Sequence, residues 1–269
     1  MKKGYIAFAA LCAAALASCT CPSAGEQRLR PSEYVSALVG TQSDFSLSTG
    51  NTYPAIALPW GMNFWTPQTG KMGDGWAYAY GAHQVRGFKQ THQPSPWIND
   101  YGQFSLMPVR GEDKFDEESR ASWFSHQSEV AKPYYYKTYL ADHDIRVEIT
   151  PTERAAMMRF TFPDSKESGV VIDAFDRGSQ VGMVDDRTIV GYTTRNSGGV
   201  PENFRNWFVV RFDTPFSAIE LTDAPDGYKP GSNLLYPDGS KSVTGGHAVA
   251  KVHFPTRRGQ QVCASVASS

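Results

Sequence analysis

The sequence predicts an all-β fold, an antiparallel β-sandwich with long irregular loops. Short runs of β-type residues alternate apolar and polar side chains, as in the stretch IRVEI from Ile145 to Ile149. Turn signals such as Pro-Asp, Asp-Gly and Gly-Gly separate many of these runs, which is typical of sandwiches and barrels. Helical periodicity is nearly absent, so no alternation of strands and helices supports a parallel α/β sheet.

The chain begins with a segment that is typical of protein export. Two lysines precede an apolar run, Tyr5 to Leu16, which is too short to predict a membrane span. The run leads into Leu-Ala-Ser-Cys, a pattern similar to the bacterial lipobox. We therefore expect residues 1–18 to be a lipoprotein signal peptide and Cys19 to carry a lipid that anchors the chain to the outer membrane, facing the periplasm or the exterior. An ordinary secretory signal peptide is the alternative.

Residues 19–30 are polar and aperiodic, which predicts a flexible tether, and residues 31–269 form the predicted folded domain. This domain opens with a short helical pattern from Pro31 to Leu38. Residues 40–103 are rich in Gly, Pro, Trp, Tyr and Asn and contain few clean strands, a composition that favours functional loops. The predicted strands are Phe104–Val109, Tyr134–Leu140, Ile145–Thr150, Ala155–Phe162, Gly169–Ala174, Arg187–Thr193, Trp207–Phe212, Phe216–Leu221, Ala248–Phe254 and Gln260–Val266.

Composition and motifs exclude several classes of function. The net charge is −1, and no basic stripe indicates a nucleic-acid partner. The sequence has no HExxH, GxSxG or phosphate-binding glycine loop, and its six histidines lack metal-ligand spacing, although His83 and His92 are candidates to converge. Cys263 lies in an apolar run and is predicted to be a buried small hydrophobe. Aromatic residues reach 13%, a content that suits both a core and the apolar faces of sugar rings.

A series of Gly, Pro and aromatic motifs, covering essentially all of the chain beyond the leader, resembles the N-terminal domain of glycoside hydrolase family 92. That family contains calcium-dependent exo-acting α-mannosidases that are common in gut Bacteroidetes. The matching motifs are Gly40-Thr41, Gly50–Pro54, Pro59–Met62, Pro67, Arg86–Phe88, Thr91-His92, Asp100–Gly102, Met107-Pro108, Pro133–Tyr135, Arg154–Pro163 and Val262–Ser269.

The resemblance implies a galactose-mutarotase-like supersandwich that packs on a C-terminal (α/α)6 barrel, with the active site between them. It implies an inverting reaction in which a glutamic acid and an aspartate act from opposite faces of the sugar, roughly 6.5–9.5 Å apart. It also implies a Ca²⁺ ion bound to the hydroxyls of α-mannoside glycans, since this hard cation prefers oxygen ligands. In the family, these carboxylates and the main Ca²⁺ ligands belong to the barrel, so we expect this chain alone to be a fragment that does not hydrolyse mannosides.

The candidate substrate residues follow from the resemblance and centre on the run from Arg86 to Pro108, which is too polar for a core strand and too aromatic for a plain loop. A tryptophan is a candidate to stack on a sugar face, and polar side chains are candidates to bind sugar hydroxyls. Arg86 is a candidate to pair with a carboxylate across the domain interface or to hold the loop. The candidates are Asn51, Thr52, Trp76, Arg86, His92, Trp97, Asp100 and Tyr101.

Each candidate also has a structural alternative. Trp97 and Tyr101 would then fill a local core, Arg86 and Asp100 would form a salt bridge, and Asn51 and Thr52 would cap a turn. Trp65, Trp76 and Tyr78 are expected in the core more than on a sugar platform.

At the level of function, two alternatives stand beside the mannosidase domain. The first is a non-catalytic carbohydrate-binding lipoprotein, and the second is a structural sandwich with an exposed interface patch.

Overall fold

The computed structural model describes residues 30–42, 52–72, 77–92, 100–229 and 231–269, and it confirms an antiparallel β-sandwich. The chain divides into two compact units. The first, Met1–Val35, contains the 3-10 helix Pro31–Tyr34, which is shorter than the predicted helical segment from Pro31 to Leu38. The second, Ser36–Ser269, contains all the strands and is the unit described below.

One short helix, α1, and eighteen strands lie in the described part of the second unit. Helix α1 is Glu117–Arg120. The strands are β1 Phe64–Gln68, β2 Gln84–Val85, β3 Gly87–Thr91, β4 Ser105–Arg110, β5 Ser122–Trp123, β6 Val130–Lys132, β7 Tyr135–Leu140, β8 Ile145–Pro151, β9 Ala155–Phe162, β10 Ser165–Asp173, β11 Ser179–Met183, β12 Thr188–Thr193, β13 Asn206–Phe212, β14 Ala218–Thr222, β15 Leu234–Leu235, β16 Lys241–Gly245, β17 Val249–Thr256 and β18 Gln260–Ser268.

The strands form two large sheets and one small ribbon, and neighbouring strands are antiparallel. The first large sheet has the order β1-β3-β4-β10-β17-β14-β15, and the second has the order β16-β11-β12-β13-β18-β9-β8-β7-β6. Strands β2 and β5 pair separately. Because β3 runs antiparallel to β4, the end of β3 and the start of β4 lie at the same edge of the sandwich.

Apolar residues from both large sheets meet in one core. In β9, the inward side chains Ala156, Met158, Phe160 and Phe162 are buried and alternate with more exposed residues, as strand geometry requires. Aromatic pairs join the two sheets: the rings of Phe104 and Phe208 stack with centroids 4.2 Å apart. Burial of such a side chain contributes about 1.5–3 kcal/mol to the free energy of folding, so these contacts hold the two sheets together face to face.

The other face of the first sheet is buried as well, although it is polar. Gly87–Thr91 is buried along its whole length, so the view that the run from Arg86 to Pro108 is too polar for a core strand is wrong for β3. Helix α1 covers part of this face, and its Arg120 donates to Asp173 at 2.6 Å with both side chains almost fully buried. Strand pairing satisfies the backbone of these polar strands, and hydrogen bonds satisfy part of their side chains, as where Lys89 donates to Gln103 at 2.9 Å.

Two smaller predictions also change. Cys263 is half-buried on β18, where its backbone N–H donates to Asp213 at 2.9 Å, so the prediction of a buried cysteine is wrong. The side chain points away from the core because its neighbours Val262 and Ala264 take the inward positions. The predicted convergence of His83 and His92 is also wrong: His92 follows the end of β3, whereas His83 lies before β2 and beside His126, with ring centroids 6.3 Å apart.

Candidate functional site

A cavity of about 380 Å³ opens at the edge of the sandwich where β3 ends and β13 begins. Segments from both large sheets supply its walls, so the cavity depends on the packing of the whole sandwich. Two of the residues predicted from the sequence, His92 and Tyr101, lie in its lining. The lining residues are Met62, Asn63, His92, Tyr101, Arg154, Phe204, Arg205, Asn206, Ser268 and Ser269.

His92 is held by hydrogen bonds at both ring nitrogens. Its Nδ1 lies 2.8 Å from the carbonyl oxygen of Tyr101, and because a carbonyl only accepts, this nitrogen carries the proton. Its Nε2 lies 2.9 Å from the side-chain amide of Gln90 and accepts from it. The same amide reaches Ser268 Oγ at 2.6 Å and Asn63 Oδ1 at 3.1 Å. This network joins the end of β3 to the end of β18 and orients the polar side of the cavity.

Asp100 organises the backbone beside the cavity. Its carboxylate, which is 2% exposed, accepts from the backbone N–H of Tyr101 at 2.7 Å and from that of His92 at 3.1 Å. Next to it, burial raises the pKa of Tyr53 to about 12, with a smaller contribution from the charge of Asp100. The Tyr53 hydroxyl therefore stays protonated and accepts from Thr91 at 3.2 Å. These bonds make Asp100 a residue that positions His92 and Tyr101.

Residues 194–205 form a loop that no candidate from the sequence includes. Hydrogen bonds join this loop and the adjacent Asn206 to the segment that carries Tyr101. Gly102 N–H donates to the carbonyl of Arg195 at 2.8 Å, and Asn206 Nδ2 donates to the carbonyl of Gly102 at 2.6 Å. The Tyr101 hydroxyl donates to the carbonyl of Gly198 at 3.4 Å. The Gly-Gly-Val-Pro turn pattern at residues 198–201 is a signal for a loop, but only the fold brings it to Tyr101.

The cavity is rich in hydrogen-bond donors, and the side chains of its described lining include no carboxylate. Exposed arginines, Arg154 and Arg205, stand at its rim, and no aspartate or glutamate is among the lining residues of the described chain. Asn63 donates to the backbone carbonyl of Arg154 at 2.8 Å, which fixes that part of the wall. Arginine, histidine and amide groups around apolar atoms suit a neutral polyhydroxyl ligand. Glycoside hydrolysis uses a pair of carboxyl groups, and the side chains of the described lining do not include such a pair.

Two other sequence candidates in the described chain, Arg86 and Thr52, do not line the cavity. Arg86 precedes β3, so the whole strand, roughly 16 Å of chain, separates it from His92. Its guanidinium forms a salt bridge with Glu118 at 3.3 Å, which connects the start of β3 to α1. The structural alternative for Arg86 had named Asp100 as its partner. Thr52 lies against Gly40. Asn51, Trp76, Trp97 and Cys19 fall outside the described residues.

Trp65 and Tyr78 are core residues, as the alternative for them predicted. Trp65 is fully buried and packs edge-on against Phe104 with centroids 5.8 Å apart. Tyr78 is 1% exposed, and its hydroxyl donates to the buried carboxylate of Glu129 at 2.9 Å. Neither ring presents a face to solvent, so neither serves as a platform for sugar.

The described residues do not fit a resident metal ion. Within them, no three His, Cys, Asp or Glu side chains gather closely enough to ligate one. A Ca²⁺ ion takes six to eight oxygen ligands, which the cavity lining does not supply. In the same described part of the chain, no helix has the length and apolar character needed to cross a membrane.

Comparison with known proteins agrees with this architecture. The model of the glycosyl hydrolase family 92 N-terminal domain matches residues 34–269, so the chain belongs to this family. A family 92 inverting mannosidase from Bacteroides thetaiotaomicron is 41% identical, with a TM-score of 0.79 over 88% of this chain. A family 92 α-mannosidase from the same organism is 29% identical, with a TM-score of 0.75 over 88% of this chain. A secreted glycosidase from Arthroderma benhamiae is 30% identical over 137 residues, 48% of this chain.

These relatives are much longer than the chain. It covers 31% and 33% of the two bacterial mannosidases and 17% of the fungal glycosidase. The similarity therefore establishes the domain and its family, and it leaves most of each relative without a counterpart in the 269 residues.

Proposed function

We propose that this chain is the sugar-facing N-terminal domain of an exo-acting α-mannosidase that degrades α-mannoside glycans. Its cavity would bind part of the glycan, and a C-terminal (α/α)6 barrel, in the same polypeptide or in a separate product, would complete the active site. The observation that carries this proposal is the donor-rich cavity at the edge of a family 92 sandwich. Arg154 and Arg205 are suited to sugar hydroxyls, His92 would hold the cavity wall through its two bonded ring nitrogens, and the barrel would supply the acid and the base.

The same division of labour applies to the metal. As in the family that the chain belongs to, the barrel would hold a Ca²⁺ ion against the sugar. Around the cavity, the roles of this chain are then to bind, to orient and to exclude water. His92 presents a fixed tautomer, and Asp100 holds the loop that carries Tyr101.

We further propose the predicted division of the chain and its location. Residues 1–18 would direct export, Cys19 would carry the lipid anchor at the outer membrane, and residues 19–30 would act as a tether to the sandwich. The lipobox-like pattern supports this arrangement, and the secreted fungal relative agrees with export. Mass spectrometry of the chain purified from its host membranes would test it by showing a diacylated Cys19, and an unmodified, soluble chain would contradict it.

Binding without turnover is the expected behaviour of the isolated chain. Titration with methyl α-mannoside, followed by NMR, should show saturable binding that Arg154→Gln weakens several-fold. Arg146→Gln changes an exposed arginine on β8, away from the cavity, and should leave binding unchanged. Hydrolysis of a chromogenic α-mannoside should be undetectable with or without Ca²⁺. Calcium-dependent turnover by the chain would show that a catalytic pair lies within these 269 residues.

The alternative of a purely carbohydrate-binding lipoprotein predicts the same binding by the isolated chain. The reading frame beyond codon 269 separates the two, because only the mannosidase requires a sequence that encodes the helical barrel. Reconstitution of activity by adding that barrel would complete the test, and unrelated sequence in all frames would favour the binding protein.

A further inference from the structure

An exposed aromatic residue lies on the outer surface of the second sheet, next to the cavity. Trp207, on β13, is 49% exposed. Strand alternation points Asn206 and Phe208 inward and places Arg205, Trp207 and Val209 on the outer surface. About half of the Trp207 side chain is therefore accessible to solvent and does not pack in the core. Its position is fixed because β13 is an interior strand of the nine-stranded sheet.

The indole belongs to an ordered group of three side chains. Tyr192 is the cross-strand partner of Trp207, and their rings meet with centroids 4.8 Å apart and an interplanar angle of 62°. The guanidinium carbon of Arg205 lies 5.1 Å from the centroid of the Tyr192 ring, within the range of a cation–π contact. Arg205 therefore holds Tyr192, Tyr192 supports the edge of Trp207, and the group is arranged before any ligand arrives.

This aromatic group is continuous with the cavity. Arg205 lines the cavity and also packs on Tyr192, so a single side chain borders both places. Beyond Trp207, the outer surface of the sheet carries small side chains, because Ala267 lies opposite the exposed Val209. A ligand chain that leaves the cavity past Arg205 would therefore meet Trp207 and, beyond it, the small exposed side chains of Val209 and Ala267.

We propose that Trp207, Tyr192 and Arg205 form a second sugar subsite, which binds the mannosyl unit next to the one held in the cavity. A sugar ring offers an apolar C–H face to an aromatic ring and hydroxyls to a guanidinium, and this group presents both. A second protein copy fits less well, because a stable interface buries about 800 Å² on each partner and this patch consists of a few side chains. The inference rests on the proposed function, since the cavity must itself bind sugar.

The experiment compares methyl α-mannoside with an α-linked mannotriose in titrations of the full chain. The trisaccharide should bind about tenfold more tightly, and Trp207→Ala should remove that advantage while leaving the affinity for the monosaccharide unchanged. Trp123→Ala is the matched control: Trp123 is 48% exposed on the two-stranded β2–β5 ribbon and does not line the cavity. Circular dichroism would verify that each variant is folded.

The outcomes separate the subsite from the cavity. Equal affinity for the two ligands, or a trisaccharide advantage that survives Trp207→Ala, overturns the subsite and leaves the proposed function standing. Trisaccharide binding that depends on Trp207 but not on Arg154 overturns the role of the cavity, and with it the second subsite, because the aromatic group would then be a separate sugar site. Self-association that disappears in Trp207→Ala, measured by sedimentation with no change in sugar affinity, also overturns the subsite, because the surface would then join two copies.

Discussion

At the residue scale, Gly102 is a point of close approach between the segment that carries Tyr101 and Asn206 at the start of β13. Its φ of +59° lies in the left-handed region, and a Cβ built on it would come within 2.5 Å of Asn206 Cβ. Gly102→Ala should therefore combine backbone strain of about 1–2 kcal/mol with a steric clash, and should lower the free energy of unfolding by more than the strain alone.

Urea unfolding measures this cost, and Gly259→Ala provides the control. Gly259 has a φ of +78°, but a Cβ added there would meet no heavy atom within 4 Å, so its replacement adds strain without a clash. If the two variants lose equal stability, the Gly102–Asn206 contact does not constrain the molecule. A larger loss of stability for Gly102→Ala, together with weaker sugar binding, would show that the contact between Gly102 and Asn206 supports the cavity.

His247 is a second residue whose contribution is measurable, through pH. Burial opposes its protonation, but the Asp173 carboxylate 2.8 Å away outweighs burial and raises the pKa of His247 above its ordinary value near 6.5. A raised pKa contributes stability that is complete below the unfolded value and is lost as the pH rises through the folded value. The free energy of unfolding should therefore fall as the pH rises above about 6.5.

Unfolding curves of the wild type and of His247→Gln across this pH range test the assignment. The variant should lose the decline above about pH 6.5, because glutamine does not titrate. His83→Gln changes an exposed histidine and should retain the decline. Identical slopes in the wild type and His247→Gln would show that the contact with Asp173 does not control this dependence.

At the scale of single elements, helix α1 is short, and its first turn depends on one cap. Asp116 accepts from the backbone N–H groups of Ser119 and Glu118 at 2.9 and 3.0 Å. The helix matters because its last residue, Arg120, donates to Asp173. Asp116→Ala should cost about 0.5–2 kcal/mol of unfolding free energy, measured in urea, whereas Asp116→Asn keeps an acceptor and should cost less. Equal losses would show that the capping bond contributes little.

The same scale shows what the sequence could and could not predict. All ten predicted strands are present, because alternation such as that of β8 follows directly from one buried and one exposed face. Strands β1 and β3 were missed within residues 40–103, since both of their faces are buried and their polar side chains disguise the pattern. Lys89, for example, is 3% exposed and donates to Gln103 at 2.9 Å.

At the scale of the whole molecule, the cavity was only partly predictable. His92 and Tyr101 stood out because they are close in sequence and fall in a motif-rich run. Arg205 and Ser268 reach the same place from β13 and the end of β18, and their convergence depends on strand order rather than on spacing. Arg86 shows the reverse case: it is near His92 in sequence but lies at the opposite end of β3.

A buried lysine on an interior strand of the first sheet gives the molecule a second pH dependence. Lys251 is fully buried on β17, and burial lowers its pKa from 10.5 to about 8. Its ammonium donates to the carbonyls of Gly111 and Glu112 at 2.7 and 2.8 Å. Between about pH 8 and pH 10 the unfolded chain therefore binds more protons than the folded chain, so the free energy of unfolding should rise with pH.

Lys251→Met should abolish that rise when unfolding free energies are measured from pH 8 to pH 10. The slope is the informative quantity, because the variant also leaves the two carbonyls without their donor and so lowers stability at every pH. Lys166→Met alters an exposed lysine that lines a small cavity together with Lys251, and it should keep the rise. With His247 lowering stability above about pH 6.5 and Lys251 raising it above about pH 8, the wild type should be least stable between these two ranges. A rise that persists in Lys251→Met would assign the alkaline dependence to another group.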